Sequence, residues 1–146
     1  MTKTIFVRKV LPLLLVAFIF FTGQLFAQPA NDDCANAVTL TPSPNTTCNN
    51  TAGTNVGVVS TEYDNCAEFS KRNVWYKFTA TAGTHIVQVT FGTIQQGIIN
   101  AFANGCGTLT HLNCGGDGQA GPVIQRILTG LSIGQEYLVA VSTREQ

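Results

Sequence analysis

Three carboxylates, Glu62, Asp64 and Asp117, could together form a binding or catalytic site. Glu62 and Asp64 lie in one polar stretch, TEYDNCAEFSKR, which also contains Glu68. Carboxylate oxygens hold hard cations, so we assign Glu62, Asp64 and Asp117 as a candidate cation site. Paired carboxylates also catalyse glycoside hydrolysis. However, a loop of mixed charge is usually solvated surface, and we do not assign catalysis to it.

The histidines and serines do not form a recognisable catalytic motif. His85 and His111 are isolated in the sequence, and a lone exposed histidine is more often neither a ligand nor a base. No serine lies in the G-x-S-x-G turn that a nucleophile elbow requires. A Ser-His-Asp set could therefore assemble only in space, and we predict that the chain is not an enzyme. The serines considered are Ser60, Ser70, Ser132 and Ser142.

Trp75 is a candidate for ligand stacking. It precedes Tyr76, and adjacent residues of a strand face opposite sides of the sheet. One of the two rings could therefore be a platform on which a sugar packs. We favour the alternative, in which Tyr76 belongs to the core and Trp75 caps the other face or joins a second sheet.

The first 27 residues have the layout of a secretory signal peptide. A basic start is followed by an apolar run over residues 10–21 and by a short segment ending at Ala27. This run is shorter than the ~20 apolar residues of a membrane helix, so an uncleaved anchor is the less favoured alternative. We expect cleavage after Ala27, a domain over residues 28–146 and no stable membrane anchor.

The charge balance of residues 28–146 argues against nucleic acid as a partner. The whole chain carries eight basic and eight acidic residues, and three of the basic ones precede residue 28. The remainder has five basic against eight acidic residues, a net charge of −3. Nucleic-acid binding needs a basic patch, which this composition does not favour.

All five cysteines follow the predicted signal peptide, so disulfides are the expected state in an oxidising compartment. They are Cys34, Cys48, Cys66, Cys106 and Cys114. None has the two- to four-residue spacing of a zinc knuckle. We expect a Cys106–Cys114 bridge across a short turn, worth roughly 2–3 kcal/mol. The three others leave a free thiol, an intermolecular bridge or a missing partner as alternatives.

From Thr51 onwards, short β-branched and aromatic runs separated by Gly, Asn and Asp predict strands. Several of these runs alternate with period two, which is typical of antiparallel sheets. The expected fold is an all-β antiparallel sandwich of jelly-roll type. The predicted strands cover residues 55–60, 73–79, 85–91, 97–103, 123–128 and 137–141, with a possible short one at 37–41.

Four segments in order, spanning most of residues 31–142, resemble the bacterial pre-peptidase C-terminal (PPC) type domain. They are NDDCANAVTL, NVWYKFTATAGTHIVQVT, INAFANGCGTLTHLNC and ILTGLSIGQEYLVAV. The resemblance implies a non-catalytic module found beside secreted peptidases and in surface proteins, some of them exported by the type IX system. It also implies polar loops, here residues 61–72 and 115–121, presented by rigid sheets.

The chain departs from that family pattern at two loops and at its end. Gln95-Gln96-Gly97 and Gly115-Gly116 stand where the family often has acidic residues. If calcium binds in relatives, part of the ligand set is lost here. The family usually ends with one more strand, often with a cysteine, whereas this sequence stops at Gln146. We therefore expect a C-terminal truncation lacking the last strand; a short natural variant with a free thiol is the alternative.

These observations predict a secreted or cell-surface module without catalysis of its own. It would serve adhesion, ligand binding or support of a neighbouring domain, with an extracellular ligand or glycan as partner. The alternative is a carbohydrate-binding module that uses Trp75. A third hypothesis is that the chain is a small secreted hydrolase that depends on His85 or His111. Fold resemblance alone does not decide between these functions.

Overall fold

In the computed structural model, the structure describes residues 27–59, 70–92, 97–115 and 122–144. Within these ranges a 3-10 turn, Cys34–Asn36, is followed by β1 (Val38–Thr39), β2 (Ser70–Thr79), β3 (Thr84–Thr90), β4 (Gly97–Ala103), β5 (Thr110–Gly115), β6 (Val123–Thr129) and β7 (Glu136–Arg144). The expected all-β sandwich is confirmed. In the described ranges no helix is long and apolar enough to cross a membrane.

Five strands form the larger sheet, in the order β1-β2-β7-β4-β5. β7 lies at its centre and pairs antiparallel with β2 on one side and with β4 on the other. β1 pairs with the edge of β2 in parallel, with Val38 opposite Tyr76. The sheet is therefore mixed, and the purely antiparallel arrangement expected from the sequence holds for every described pair except this one.

β3 and β6 form the second sheet, which we call the ribbon. Their antiparallel register runs without a bulge from Thr84 opposite Thr129 to Thr90 opposite Val123. Side chains alternate along each seven-residue strand, so one set points at the larger sheet and the other points away. This alternation gives the ribbon one packed face and one open face.

The core lies between the two sheets. Large apolar side chains from β2, β4 and β7 meet those of the ribbon and of the connecting segments. Gly97 is required at the start of β4, because a Cβ atom there would overlap the ring of Phe91. The buried members of this cluster are Phe78, Ala80, Phe91, Ile99, Ala101, Ile124, Leu128, Leu131, Tyr137 and Val139.

The other face of the larger sheet, here called the outer face, is also buried. Trp75 packs on Phe102 with ring centroids 5.6 Å apart, and Cys34 and Leu109 contact this second cluster. The N-terminal segment is fastened to β2 because Asn31 bonds twice to the backbone of Trp75, through its carbonyl and its side-chain amide. The buried outer-face residues are Asn73, Trp75, Ile98, Asn100, Phe102, Leu138, Ala140 and Ser142.

A disulfide links this N-terminal segment to the β4–β5 turn, and it corrects the predicted pairing. Cys106 bonds to Cys34, with Cα atoms 5.7 Å apart, so the expected Cys106–Cys114 bridge is wrong. The expectation relied on closeness in sequence, whereas the real pair is 72 residues apart. In the chain-entropy model a loop of that length gives about 4 kcal/mol, more than the short loop would.

The predicted strands agree with the structure except at two places. Residues 55–59 form no strand. β5 was not predicted, because its polar sequence THLNCG was interpreted as part of a disulfide-closed turn. The predicted signal peptide lies outside the described residues except for Ala27. Its cleavage and the expected C-terminal truncation stay predictions.

Candidate functional site

The open face of the ribbon is the best-exposed organised surface in the described part of the molecule. Each strand contributes four side chains, all of which are exposed. None of the eight carries a charge, and all are amides, hydroxyls or aliphatic groups. We call this surface the ribbon face, and it consists of Thr84, Ile86, Gln88 and Thr90 from β3 and Val123, Gln125, Ile127 and Thr129 from β6.

Cross-strand register places these side chains in matched rows. Ile86 lies opposite Ile127, and the two are 62% and 59% exposed. Gln88 lies opposite Gln125 in the next row on the same face. The Gln125 side-chain amide donates a hydrogen bond to the Gln88 carbonyl oxygen. An aliphatic patch therefore adjoins a fixed pair of carboxamides.

The amide pair retains hydrogen-bonding capacity after this internal bond. A carboxamide offers two N–H donors and a carbonyl acceptor, so the Gln88 amide can still donate and the Gln125 oxygen can still accept. These two groups belong to side chains that lie opposite each other in the strand pair. The arrangement suits a neutral ligand with adjacent hydroxyls, and the ribbon face has no group that could transfer a proton near neutral pH.

Trp75, the predicted stacking residue, does not lie at the surface. Its side chain is 1% exposed and packs in the outer-face cluster. A sugar could not reach either side of that ring in this structure. The favoured alternative is correct in placing Trp75 on the opposite side of the sheet from Tyr76, which packs against the core between the sheets.

The two histidines have structural contacts. The Nε2 atom of His85 accepts hydrogen bonds from the backbone N–H groups of Thr81 and Ala82, at 3.1 and 3.2 Å. His85 thus fixes the β2–β3 turn, and its ring meets Phe78 edge-on. His111 is exposed and lies against the ring of Phe102, at 4.7 Å between centroids. The two imidazoles lie on different strands of different sheets.

Most of the remaining predicted site residues lie outside the described ranges. Glu62, Asp64, Asp117 and Cys66 lie outside it, so the cation site stays a prediction. Among the described residues, no three His, Cys, Asp or Glu side chains lie close enough to hold a metal ion. Cys48 is a free, exposed cysteine.

Sequence reasoning missed the ribbon face as a site. The alternation of Ile86, Gln88 and Thr90 with Val87 and Val89 was visible, and it predicted a half-buried strand. The exposed apolar pair was not recognised because its partner strand is 37 residues away in the sequence, as the Gln88–Gln125 bond shows. Only the register of β3 on β6 brings the isoleucines and the glutamines together.

Comparison with known proteins gives one match. A family model described as galactose binding domain-like, of a type that is associated with the type IX secretion system (T9SS), matches residues 30–146. Neither a curated protein nor a solved structure matches the chain. The match supports the expected T9SS-associated β-domain, but it is not specific to the PPC family.

Proposed function

The chain belongs to this galactose-binding-domain-like, T9SS-associated family, and from that premise we propose that it is a non-catalytic module that binds a neutral carbohydrate on its ribbon face. The association with type IX secretion supports a secreted or cell-surface location. This proposal keeps the predicted ligand-binding role but moves the site from Trp75 and the polar loops to the described ribbon.

The observation that carries the proposal is the combination of groups on the ribbon face. The eight exposed side chains carry no charge, and four of them form an aliphatic pair and an amide pair. A sugar presents hydroxyls at its rim and C–H groups on its faces, and it carries no charge to be neutralised. Amides and threonine hydroxyls can bond the rim, while Ile86 and Ile127 can contact a C–H face.

The side-chain chemistry favours binding over turnover. Hydrolysis of a glycoside needs two carboxyl groups flanking the bond, and the ribbon face has none. The nearest titratable side chain of β3, His85, points to the inner side and uses its Nε2 atom in the turn. These observations support a binding module rather than the alternative of a small hydrolase.

The first test is a glycan array followed by calorimetric titration of the best neutral oligosaccharide. The double variant Gln88→Ala/Gln125→Ala should weaken binding roughly tenfold or more, since each lost hydrogen bond is worth about 1 kcal/mol. Both side chains are exposed, so the variant should keep its fold, and circular dichroism checks this.

The matched control is Gln135→Ala. Gln135 is an exposed glutamine in the turn before β7, and its backbone N–H bonds to Ser132 independently of its side chain. This variant should bind as the wild type does. Wild-type protein that binds no glycan, or a glutamine pair that can be removed without loss, would show that the ribbon face is not the site.

A further inference from the structure

β3 forms one edge of the ribbon. Among the described residues it pairs only with β6, and its inward side chains are incompletely covered. Val87 and Val89 point to the core yet remain half-buried, as does Arg126 opposite Val87, whereas Ile124 and Leu128 on the inner side of β6 are buried. The inward aliphatic side chains of β6 are therefore better covered than those of β3.

The hydrogen-bond pattern shows which backbone groups of β3 point to this edge. The N–H of Phe91 donates to the carbonyl of Pro122, and hydrogen-bonded pairs recur at every second residue of an antiparallel ladder. Val87 and Val89 thus bond to β6. Because the pattern alternates, the N–H and C=O groups of Ile86 and Gln88 point away from it.

The far edge of β6 differs, because β5 reaches it. The side-chain amide of Asn113 donates to the carbonyl of Ile127 at 3.4 Å, and this carbonyl points away from β3. The two edges of the ribbon are therefore unequal. β6 borders the larger sheet, and among the described strands β3 is the ribbon edge without a second partner.

β3 also lacks the features that normally protect an edge. Natural edge strands carry charged residues, proline or a bulge that prevent pairing with another chain. The sequence of β3, THIVQVT, has no lysine, arginine, aspartate, glutamate or proline, and its register with β6 is regular. The seven residues of β3 therefore present backbone hydrogen-bonding groups to another extended segment along nearly the whole strand.

We propose that β3 pairs antiparallel with β3 of a second copy of this chain. A two-fold axis at Val87 places Ile86 opposite Gln88 of the other copy and Thr84 opposite Thr90. These are the residues whose N–H and C=O groups face the edge, so each such pair exchanges two backbone hydrogen bonds. Val87 then meets its own counterpart, which covers the half-buried side chain.

A second copy fits this edge because no charged groups are brought together and because the arrangement is self-complementary. An isologous contact of this kind closes at two subunits. The remaining ribbon edge, on β6, borders β5 in each copy and cannot extend the sheet in the same way. The result is a continuous four-stranded sheet, β6-β3-β3-β6, with the two ribbon faces on one side.

The experiment is sedimentation equilibrium of the purified chain in a Cys48→Ala background, which excludes dimers linked through the exposed thiol. The expected result is a reversible dimer. Ile86→Lys should weaken it about tenfold or more, because a lysine on an edge strand opposes pairing. The matched control is Ile127→Lys, which changes the cross-strand partner of nearly equal exposure and should leave the dimer intact.

Hydrogen exchange gives a second readout at single amides. In the dimer the amides of Ile86 and Gln88 should be protected, and Ile86→Lys should remove the protection of Gln88. The amide of Val87 bonds to β6 and should stay protected in both proteins. A wild-type monomer at all concentrations, or equal dissociation by the two lysine variants, would overturn the proposal.

The pairing does not depend on the proposed glycan binding, since it is measured without any ligand. A dimer that binds no glycan would retain this inference and remove the proposed function. A monomer that binds glycan through Gln88 and Gln125 would retain the proposed function and remove the inferred strand pairing. The two failures are therefore distinguishable in the same set of variants.

Discussion

The outward surfaces of the two sheets differ in what lies over them. On the larger sheet, the centre of the outer face is sealed, with Trp75 and Phe102 at 1% exposure and Ala140 at 0%. On the ribbon, every outward side chain is exposed. Both surfaces come from strands with alternating side chains, yet one behaves as a core and the other as a surface.

The difference comes from a segment that lies outside the strands of both sheets. The stretch NDDCAN lies along β2, bonds to Trp75 and is tied to the β4–β5 turn by the Cys34–Cys106 bridge. No comparable described segment crosses the ribbon face. A sheet face is thus buried or free according to what the neighbouring loops do, and the ribbon is left available for a ligand.

The sharpest test of this contrast removes one large side chain from each surface. Trp75→Ala should lower the free energy of unfolding by roughly 3–5 kcal/mol, because it leaves a cavity in the outer-face cluster. Ile86→Ala should change it by about 0.5 kcal/mol or less, as is usual for exposed positions. Urea denaturation measures both. Similar losses for the two variants would contradict the assignment of one sealed and one open face.

The next largest effect should come from releasing the covering segment. Cys34→Ala/Cys106→Ala should destabilise the fold by roughly 2–4 kcal/mol, since the unfolded chain gains freedom. Cys48→Ala is the matched control, because Cys48 is exposed and free; its melting temperature should be unchanged. If the double variant were as stable as the wild type, the bridge would not be what holds the segment on the sheet.

A smaller effect should appear at alkaline pH on the packed side of β2. Burial raises the pKa of Tyr76 above its ordinary value of 10.0, and a hydrogen bond with Asn31 acts in the opposite direction. A raised pKa means that the folded state binds the proton more tightly than the unfolded state. The stability from this group is complete below pH 10.0 and falls as the pH rises through the folded-state pKa. In the Tyr76→Phe variant the free energy of unfolding should fall less over this pH range. Comparing the urea midpoints of the two proteins across the range measures the difference.

The smallest expected change is at Ser142, on the sealed face. Its hydroxyl is buried and has no hydrogen-bond partner among the described residues. Replacing a buried hydroxyl that makes no bond removes its desolvation cost. Ser142→Ala should therefore be neutral or stabilise the fold by up to about 1 kcal/mol. The exposed Ser132→Ala is the control. If Ser142→Ala instead lowered the free energy of unfolding by more than about 1 kcal/mol, the Ser142 hydroxyl would have a hydrogen-bond partner.

The fold class and most strands could be predicted from the sequence, because alternation of side chains is a local signal. β4 was predicted with its observed bounds. β5 was not, since Thr110 to Gly115 contains few apolar residues and gains its place from pairing with β4. The parallel contact of β1 with β2 involves two residues of each strand, too few to leave a pattern.

The site and the disulfide depend on long-range geometry, and the sequence did not specify them. The pairing of Cys106 was inferred from the nearest cysteine in the chain, and the structure brings Cys34 to it instead. Trp75 was correctly placed on a face opposite Tyr76, but nothing in its neighbours showed that the N-terminal segment would cover it. Ile86 and Ile127 became a surface pair only through strand register.

The central position of β7 has a consequence for the order in which the domain assembles. β2 and β4 flank β7 and have no described pairing with each other, so the middle of the larger sheet forms only after residues 136–144 have emerged. Pairings this distant in sequence form slowly. A chain that leaves its site of synthesis or crosses a membrane from the N-terminus forward would thus lack the middle of this sheet for most of its passage. It would complete its structure once the last described strand had arrived.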